Sequence, residues 1–289
     1  MKKLFVLALA GVCGAVGAQT PTTNPMPDGS HDMYLGLGAV SEAVYEGSRE
    51  RRAATLPVLQ FAWSNGVFVS GTSAGIHVSS DPGIEYGPLV AFTRGRTDKG
   101  LTGTAGGIGP STGLVAPGDF EPAKTQRVPL QGETRLSGMD RVESRLQAGF
   151  FLNYYLGERL RLTSSFLGGA GAKRNGAQLG LGIQHIAAEI LPHHALSLSA
   201  GLTLANRRYN ETYFGVTELE AERSFNRAYF PQGGLKDVYL GARWNWTFNS
   251  QWMLSTGIKL TRLQGDAKNS PLVERPSNAT VSTALAFRF

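Results

Sequence analysis

Three groupings in the sequence combine residue types that could do chemistry. His77-Val78-Ser79 has the H-x-S spacing of a hydrolytic pair, in which a His takes the proton of a Ser nucleophile and Glu85 could orient the imidazole. That spacing recurs by chance, and the pair reads instead as a strand-end His facing an outer loop beside solvated "SSD" (79–81), so no catalytic residue is assigned. His185, His193 and His194, with Glu189, raise the question of a metal site. Adjacent residues of an extended chain point to opposite faces, so His193 and His194 read as a solvated turn and no metal ligand is assigned. "GTAGGIG" (103–109) has the glycine spacing of a nucleotide loop without the strand and helix such a loop needs. No paired-acid site or G-x-S-x-G elbow is found, and the sequence reads as a non-catalytic protein without a cofactor.

The basic residues carry more information. Arg49, Arg51 and Arg52 fall in one connection, and Lys173 and Arg174 in another. If those connections face outward from an outer membrane, the side chains sit where lipopolysaccharide phosphates lie, and a planar guanidinium pairs well with phosphate. Ordinary loop solubility accounts for them equally well. Glu143, Arg145, Arg159, Arg161, Arg243 and Lys259 fall on the polar faces of alternating segments, where they would line a pore or cross-link a plug.

Those assignments depend on the elements that carry the residues. "VESRLQAGFFLNYY" (142–155) puts Val142, Leu146, Ala148, Phe150, Leu152 and Tyr154 on one face, and Glu143, Arg145, Gln147 and Asn153 on the other. The same period of two recurs in "RLRLTSSFLG" (159–168), "AQLGLGIQ" (177–184), "ALSLSAGLTLA" (195–205) and "VYLGARWNWTF" (238–248). These segments are long for globular strands but suit tilted strands crossing a bilayer. Trp244, Trp246 and Phe248 end one segment and Trp252 opens the next, as in an interfacial aromatic girdle. The apolar faces carry no charge, which at mid-bilayer would cost about 2–4 kcal/mol. The fold class is therefore all-β, an antiparallel transmembrane β-barrel.

Composition agrees. Charged residues make up 17% and glycine is abundant at 37 residues, mean hydropathy is −0.13, and past the leader nothing approaches the apolar run a membrane helix needs. The leader "MKKLFVLALAGVCGAVGA" (1–18) has a basic start, an apolar centre and small residues at its end, so it reads as a secretory signal peptide cleaved between Ala18 and Gln19. Cleavage removes Cys13, the one cysteine, and two of the six net positive charges. A mildly basic remainder gives no ground for a nucleic-acid partner. Residues 19–32 read as a periplasmic linker and 33–289 as the barrel of a cell outer membrane.

Short connections at 64–66, 156–159, 191–194 and 249–251 should be periplasmic turns, and the longer ones near 44–53, 98–139, 209–236 and 265–277 outer loops. Eleven strands read directly, near 33–43, 53–63, 66–78, 85–96, 140–156, 158–171, 175–190, 194–208, 236–248, 251–264 and 277–289. Bacterial barrels are even-numbered, so a twelfth is expected in 98–139, around Lys99 to Ile108.

Several stretches of this framework carry a family resemblance. "YEGS" (45–48), "YFGV" (213–216), "GGLKD" (233–237) and "RLQGDAKNSPLV" (262–273), in that order and with a closing Phe, resemble the MipA/OmpV family of MltA-interacting outer-membrane proteins. The resemblance implies a scaffold that brings a murein hydrolase, a lytic transglycosylase, together with a peptidoglycan synthase. A porin-like channel for small solutes, or an adhesin acting through the outer loops, is the alternative. The Gly- and Pro-rich stretch 98–139 departs from the family pattern. The ending "STALAFRF" (282–289) puts Thr283, Leu285, Phe287 and Phe289 on the lipid face and Arg288 in the lumen, and Leu285, Phe287 and Phe289 resemble the signal read by the barrel-assembly machinery.

Overall fold

A computed structural model describes residues 29–289, apart from 82, 99, 102–133, 158 and 170–175. The signal peptide with Ala18 and Gln19, the 103–109 glycine run, Lys173 and Arg174 lie outside the described residues. The strands are β1 (His31–Ala43), β2 (Arg51–Trp63), β3 (Val67–Ser70), β4 (Ser73–Ile76), β5 (Ile84–Thr93), β6 (Arg96–Thr97), β7 (Gly100–Leu101), β8 (Arg145–Leu156), β9 (Leu160–Gly168), β10 (Ala177–Leu191), β11 (His194–Ala205), β12 (Gly234–Thr247), β13 (Trp252–Leu263) and β14 (Ser277–Arg288). Three short helices, α1 (Arg207–Phe214), α2 (Glu218–Arg223) and α3 (Gly265–Asn269), belong to the outer connections.

All but β6 and β7 join one closed antiparallel barrel of twelve strands, in the order β1-β14-β13-β12-β11-β10-β9-β8-β5-β4-β3-β2. β14 closes on β1 from Tyr34 opposite Arg288 to Ser41 opposite Val281. The faces are those expected of a barrel in lipid. Leu37 is 73% exposed, Leu146 66% and Leu240 60%, all pointing outward, while polar Asp32, Glu85, Gln147, Asn153 and Asn245 are buried inside. Near the periplasmic end the aromatic rings contact one another in two groups, Trp244, Trp246 and Phe248 along β12 and its end, with Trp246 and Phe248 4.2 Å apart, and Trp252 of β13 with Phe287 of β14, 5.1 Å apart. No helix among the described residues is long and apolar enough to cross a membrane, and the strands do the crossing.

The twelfth strand lies elsewhere than expected. β5 pairs directly with β8, from Ile84 opposite Tyr154 to Thr93 opposite Arg145, so no strand from 98–139 stands between them. The described part of Lys99–Ile108, Gly100 and Leu101, pairs with β6 outside the barrel. Instead, the expected strand 66–78 is a hairpin of two four-residue strands. Gly71 has φ +58°, suiting the first central position of a tight two-residue turn, and the Ser73 hydroxyl donates to the Ser70 carbonyl at 3.0 Å. The even count of twelve held because this split supplies the extra strand.

Candidate functional site

The described parts of the outer connections pack together at the outer end of the barrel as a cap. Asn206 caps α1 by accepting from the Tyr209 amide, and a reciprocal capping box between Thr217 and Glu220 starts α2. The stretches that carry the family resemblance meet here. Tyr45 donates to the Leu272 carbonyl at 3.1 Å, and the Gly47 carbonyl accepts from the amides of Glu274 and Arg275. The Tyr213 hydroxyl donates to the Arg94 carbonyl at 2.8 Å, and Ser270 donates to the Phe214 carbonyl at 2.6 Å. Tyr45, Leu136, Val216 and Leu272 form one buried cluster, and Ala205, Tyr209, Phe214, Leu263 and Ala267 another. Burial pushes the Tyr213 phenol up to about 12, with the Glu46 carboxylate adding to the shift.

Below the cap, the outer and middle lumen holds a cavity of about 510 Å³. Its ceiling is ionic. Lys236 reaches both Glu46 oxygens at 3.0 Å and Asp237 at 3.0 Å, over the ring of Tyr209. Lys236 is the extra residue of a bulge, since Thr203 pairs with Asp237 and Leu204 with Leu235, so Lys236 and Asp237 are both buried. Beside them Glu42 takes Arg52 at 2.9 Å and Arg94 at 2.8 Å. Mid-wall, the Tyr239 ring lies close against glycines: a Cβ at Gly201 would meet it at 2.7 Å and one at Gly182 would meet its hydroxyl at 2.8 Å. Lys259 rests over that ring, its ammonium 4.4 Å from the centroid.

The periplasmic half of the lumen is packed. Around the ring, Tyr34, Val58, Ala286, Met253, Asn245, Ser197, Gln184, Arg161, Phe151, Asn153 and Glu85 point inward and are between 0 and 8% exposed. An open aqueous pore would leave such side chains wet. Glu85 accepts from Tyr155 at 2.8 Å and Asn153 at 3.2 Å, with Arg161 at 3.7 Å, and Arg161 donates to Gln184 at 2.7 Å. Arg288 pairs with Asp32 at 2.9 Å beside the seam.

The residues weighed for chemistry are dispersed. His77 follows β4 and so lies at the periplasmic end, not beside an outer loop as expected from a single strand over 66–78. Its ring sits between Phe68 and Phe151 at 4.8 and 5.1 Å, and the Glu85 carboxylate is taken by Tyr155, Asn153 and Arg161. His194 stacks on Trp244 and Trp246 at 5.6 and 5.4 Å, while His193 occupies a turn with φ +68°. The basic cluster divides. Arg51 donates along the seam to the carbonyls of Ala279 and Ser41, the Arg49 amide donates to Glu274, and Arg52 turns inward to Glu42. Glu143 precedes β8 and pairs with exposed Arg141, and Arg159 lies in the turn before β9, so neither lines the lumen. Leu285, Phe287 and Phe289 share the outward face of β14 and its end, where Phe289 meets Phe287 and Phe61. The Lys236–Glu46–Asp237 cluster was missed in the sequence; the adjacent charges of "LKD", which break the period of two, were its one visible sign.

Comparison with known proteins shows the family. The family model described as MltA-interacting protein MipA matches residues 35–289. Outer membrane protein Omp26La of Vibrio anguillarum is 26% identical over 158 residues, 53% of this chain and 58% of the relative. OmpV of Vibrio cholerae is 25% identical over the same shares, so the chain spans 58% of the length of these relatives. The MltA-interacting protein of Escherichia coli is 28% identical over 89 residues, 31% of this chain and 36% of that protein. Among solved structures, the toluene transporter TodX of Pseudomonas putida aligns over 93% of this chain and 91% of its own at 10% identity and a TM-score of 0.37. With the family model covering the barrel from its first strand to its last residue, the chain is an outer-membrane protein that belongs to the MltA-interacting protein MipA family.

Proposed function

We propose that this barrel is a non-catalytic, non-conducting anchor that holds peptidoglycan-remodelling enzymes, a murein hydrolase and a synthase, at the inner face of the outer membrane. The packed periplasmic half of the lumen carries this reading, because a barrel filled from β5 round to β2 offers its rim rather than a pore. The name of the Escherichia coli relative supplies the class of partner. The turns that would meet such a partner are those at 156–159 and 191–194. A photo-crosslinking residue at Arg159 or His193 should capture a lytic transglycosylase from intact cells, whereas the same residue at Arg49, on the opposite rim, should not. Equal capture at both rims, or none at the periplasmic turns, would refute the scaffold.

The polar cavity beneath the cap favours a second reading, a gated path for small solutes, and the outer loops leave an adhesin as a third. At the outer rim we further propose Arg49 and Arg51 as contacts for lipopolysaccharide phosphates, with Lys173 and Arg174 as candidates from the sequence. Arg49→Glu with Arg51→Glu should lower the lipopolysaccharide that co-purifies with the barrel; an unchanged amount would remove them from that role.

A further inference from the structure

We propose that the lumen cavity binds a small hydroxylated anion, a carboxylate- or phosphate-headed solute, with Lys259 as the principal charge contact and Arg243 beside it. This goes beyond the scaffold reading and does not rest on it.

The acids around the cavity and beneath it are already engaged. Glu42 is held by Arg52 and Arg94, Glu46 and Asp237 by Lys236, and Glu85 by Arg161. Lys259 has the face of Tyr239 as its contact, and no salt bridge to it is seen among the described residues. Gly241 stands opposite Lys259, and Arg243 opposite Gly257, so the two cations occupy diagonal positions on adjacent strands. Diagonal neighbours lie about 7–8 Å apart at the backbone, within reach of one anionic group for side chains this long. Lys259, a cation that faces a cavity walled by protein, is costly without a counter-charge. The Tyr239 ring offsets part of that cost, and a bound anion would offset the rest.

The wall defines the rest of the ligand. Thr163, Ser165, Gln178, Ser199 and Thr280 line the cavity with hydroxyl and amide groups, which suit a hydroxylated body and not an acyl chain. A volume of about 510 Å³ falls within the usual range of small-molecule sites, about 300–1,000 Å³. The room exists because Gly182 and Gly201 let Tyr239 lie against the wall.

Calorimetry on the full-length mature barrel in detergent tests this, at constant ionic strength, with gluconate, glucose 6-phosphate, sorbitol and glucosamine as matched anionic, neutral and cationic probes. At least one of the two anions should bind, and sorbitol and glucosamine should not. Lys259→Met should weaken that binding about tenfold, the usual effect of losing a charge-assisted contact, and Lys259→Arg should restore most of it. Gly182→Ala, whose Cβ meets the side-chain ends of Tyr239 and Thr163 at 2.8 Å and so pushes Tyr239 toward the cavity with both charges intact, should also weaken binding; it remains informative if Lys259→Met fails to fold. Binding of all four probes alike, no binding of either anion, or an anion affinity unchanged in Lys259→Met and Gly182→Ala would overturn the proposal.

Discussion

At the scale of single residues, the lumen is organised by ion pairs between positions far apart in sequence. Arg288, the lone charge in an apolar ending, meets Asp32 at 2.9 Å beside the closing seam, and Asp32 is 4% exposed. The alternation of "STALAFRF" was enough to place Arg288 inside; its partner, near the other end of the chain, was not legible, because no local pattern reports a contact made by closure. Arg288→Met leaves a buried carboxylate without its cation. It should lower the unfolding free energy in detergent by about 1 kcal/mol, discounted because Arg288 is 36% exposed; an unchanged urea midpoint would contradict the pairing. Tyr213 gives a second residue-level outcome. Its folded pKa, pushed up to about 12, lies above the ordinary 10.0. The stability it lends the cap is therefore full below pH 10 and is lost as pH rises from there through 12. The tyrosinate absorbance that Tyr213→Phe removes should rise near pH 12; a rise near pH 10 would mean that the phenol is not buried.

At the scale of elements, period-two patterning found the long strands because a bilayer demands apolar residues on every outward position. It failed at 66–78 because "VFVSGTSAGI" folds into two strands of four residues each, which carry too little pattern to be separated. Gly71 was the available cue, since a Gly followed by another residue is the pairing a tight hairpin turn favours. The bulge at Lys236 escaped for a related reason: one inserted residue resets the faces, and only the paired strand reveals the slip. At the end of β14 we propose that Phe289 completes an assembly signal with Leu285 and Phe287. Its amide donates to the Met33 carbonyl at 3.2 Å and its ring meets Phe61. Deleting Phe289 should leave export intact and reduce heat-modifiable barrel in the outer membrane; normal amounts of folded barrel would count against the signal.

At the scale of the whole molecule, the sequence motifs that mark the family converge in the outer cap, where "YEGS", "YFGV" and the segment before β14 hydrogen-bond to one another and to Arg94. The barrel beneath holds its cavity in the outer and middle lumen and is packed toward the periplasm. A cap latched on one side and a packed floor on the other support the proposed reading of a barrel that spans the membrane without a standing open pore. That arrangement was only half legible in the sequence: the polar inward faces were visible, but whether they enclose water or pack together depends on how twelve strands close. The most direct test is planar-bilayer recording of the purified, folded barrel. The account predicts a silent membrane with no steady single-channel steps, whereas reproducible steps of fixed amplitude would contradict it.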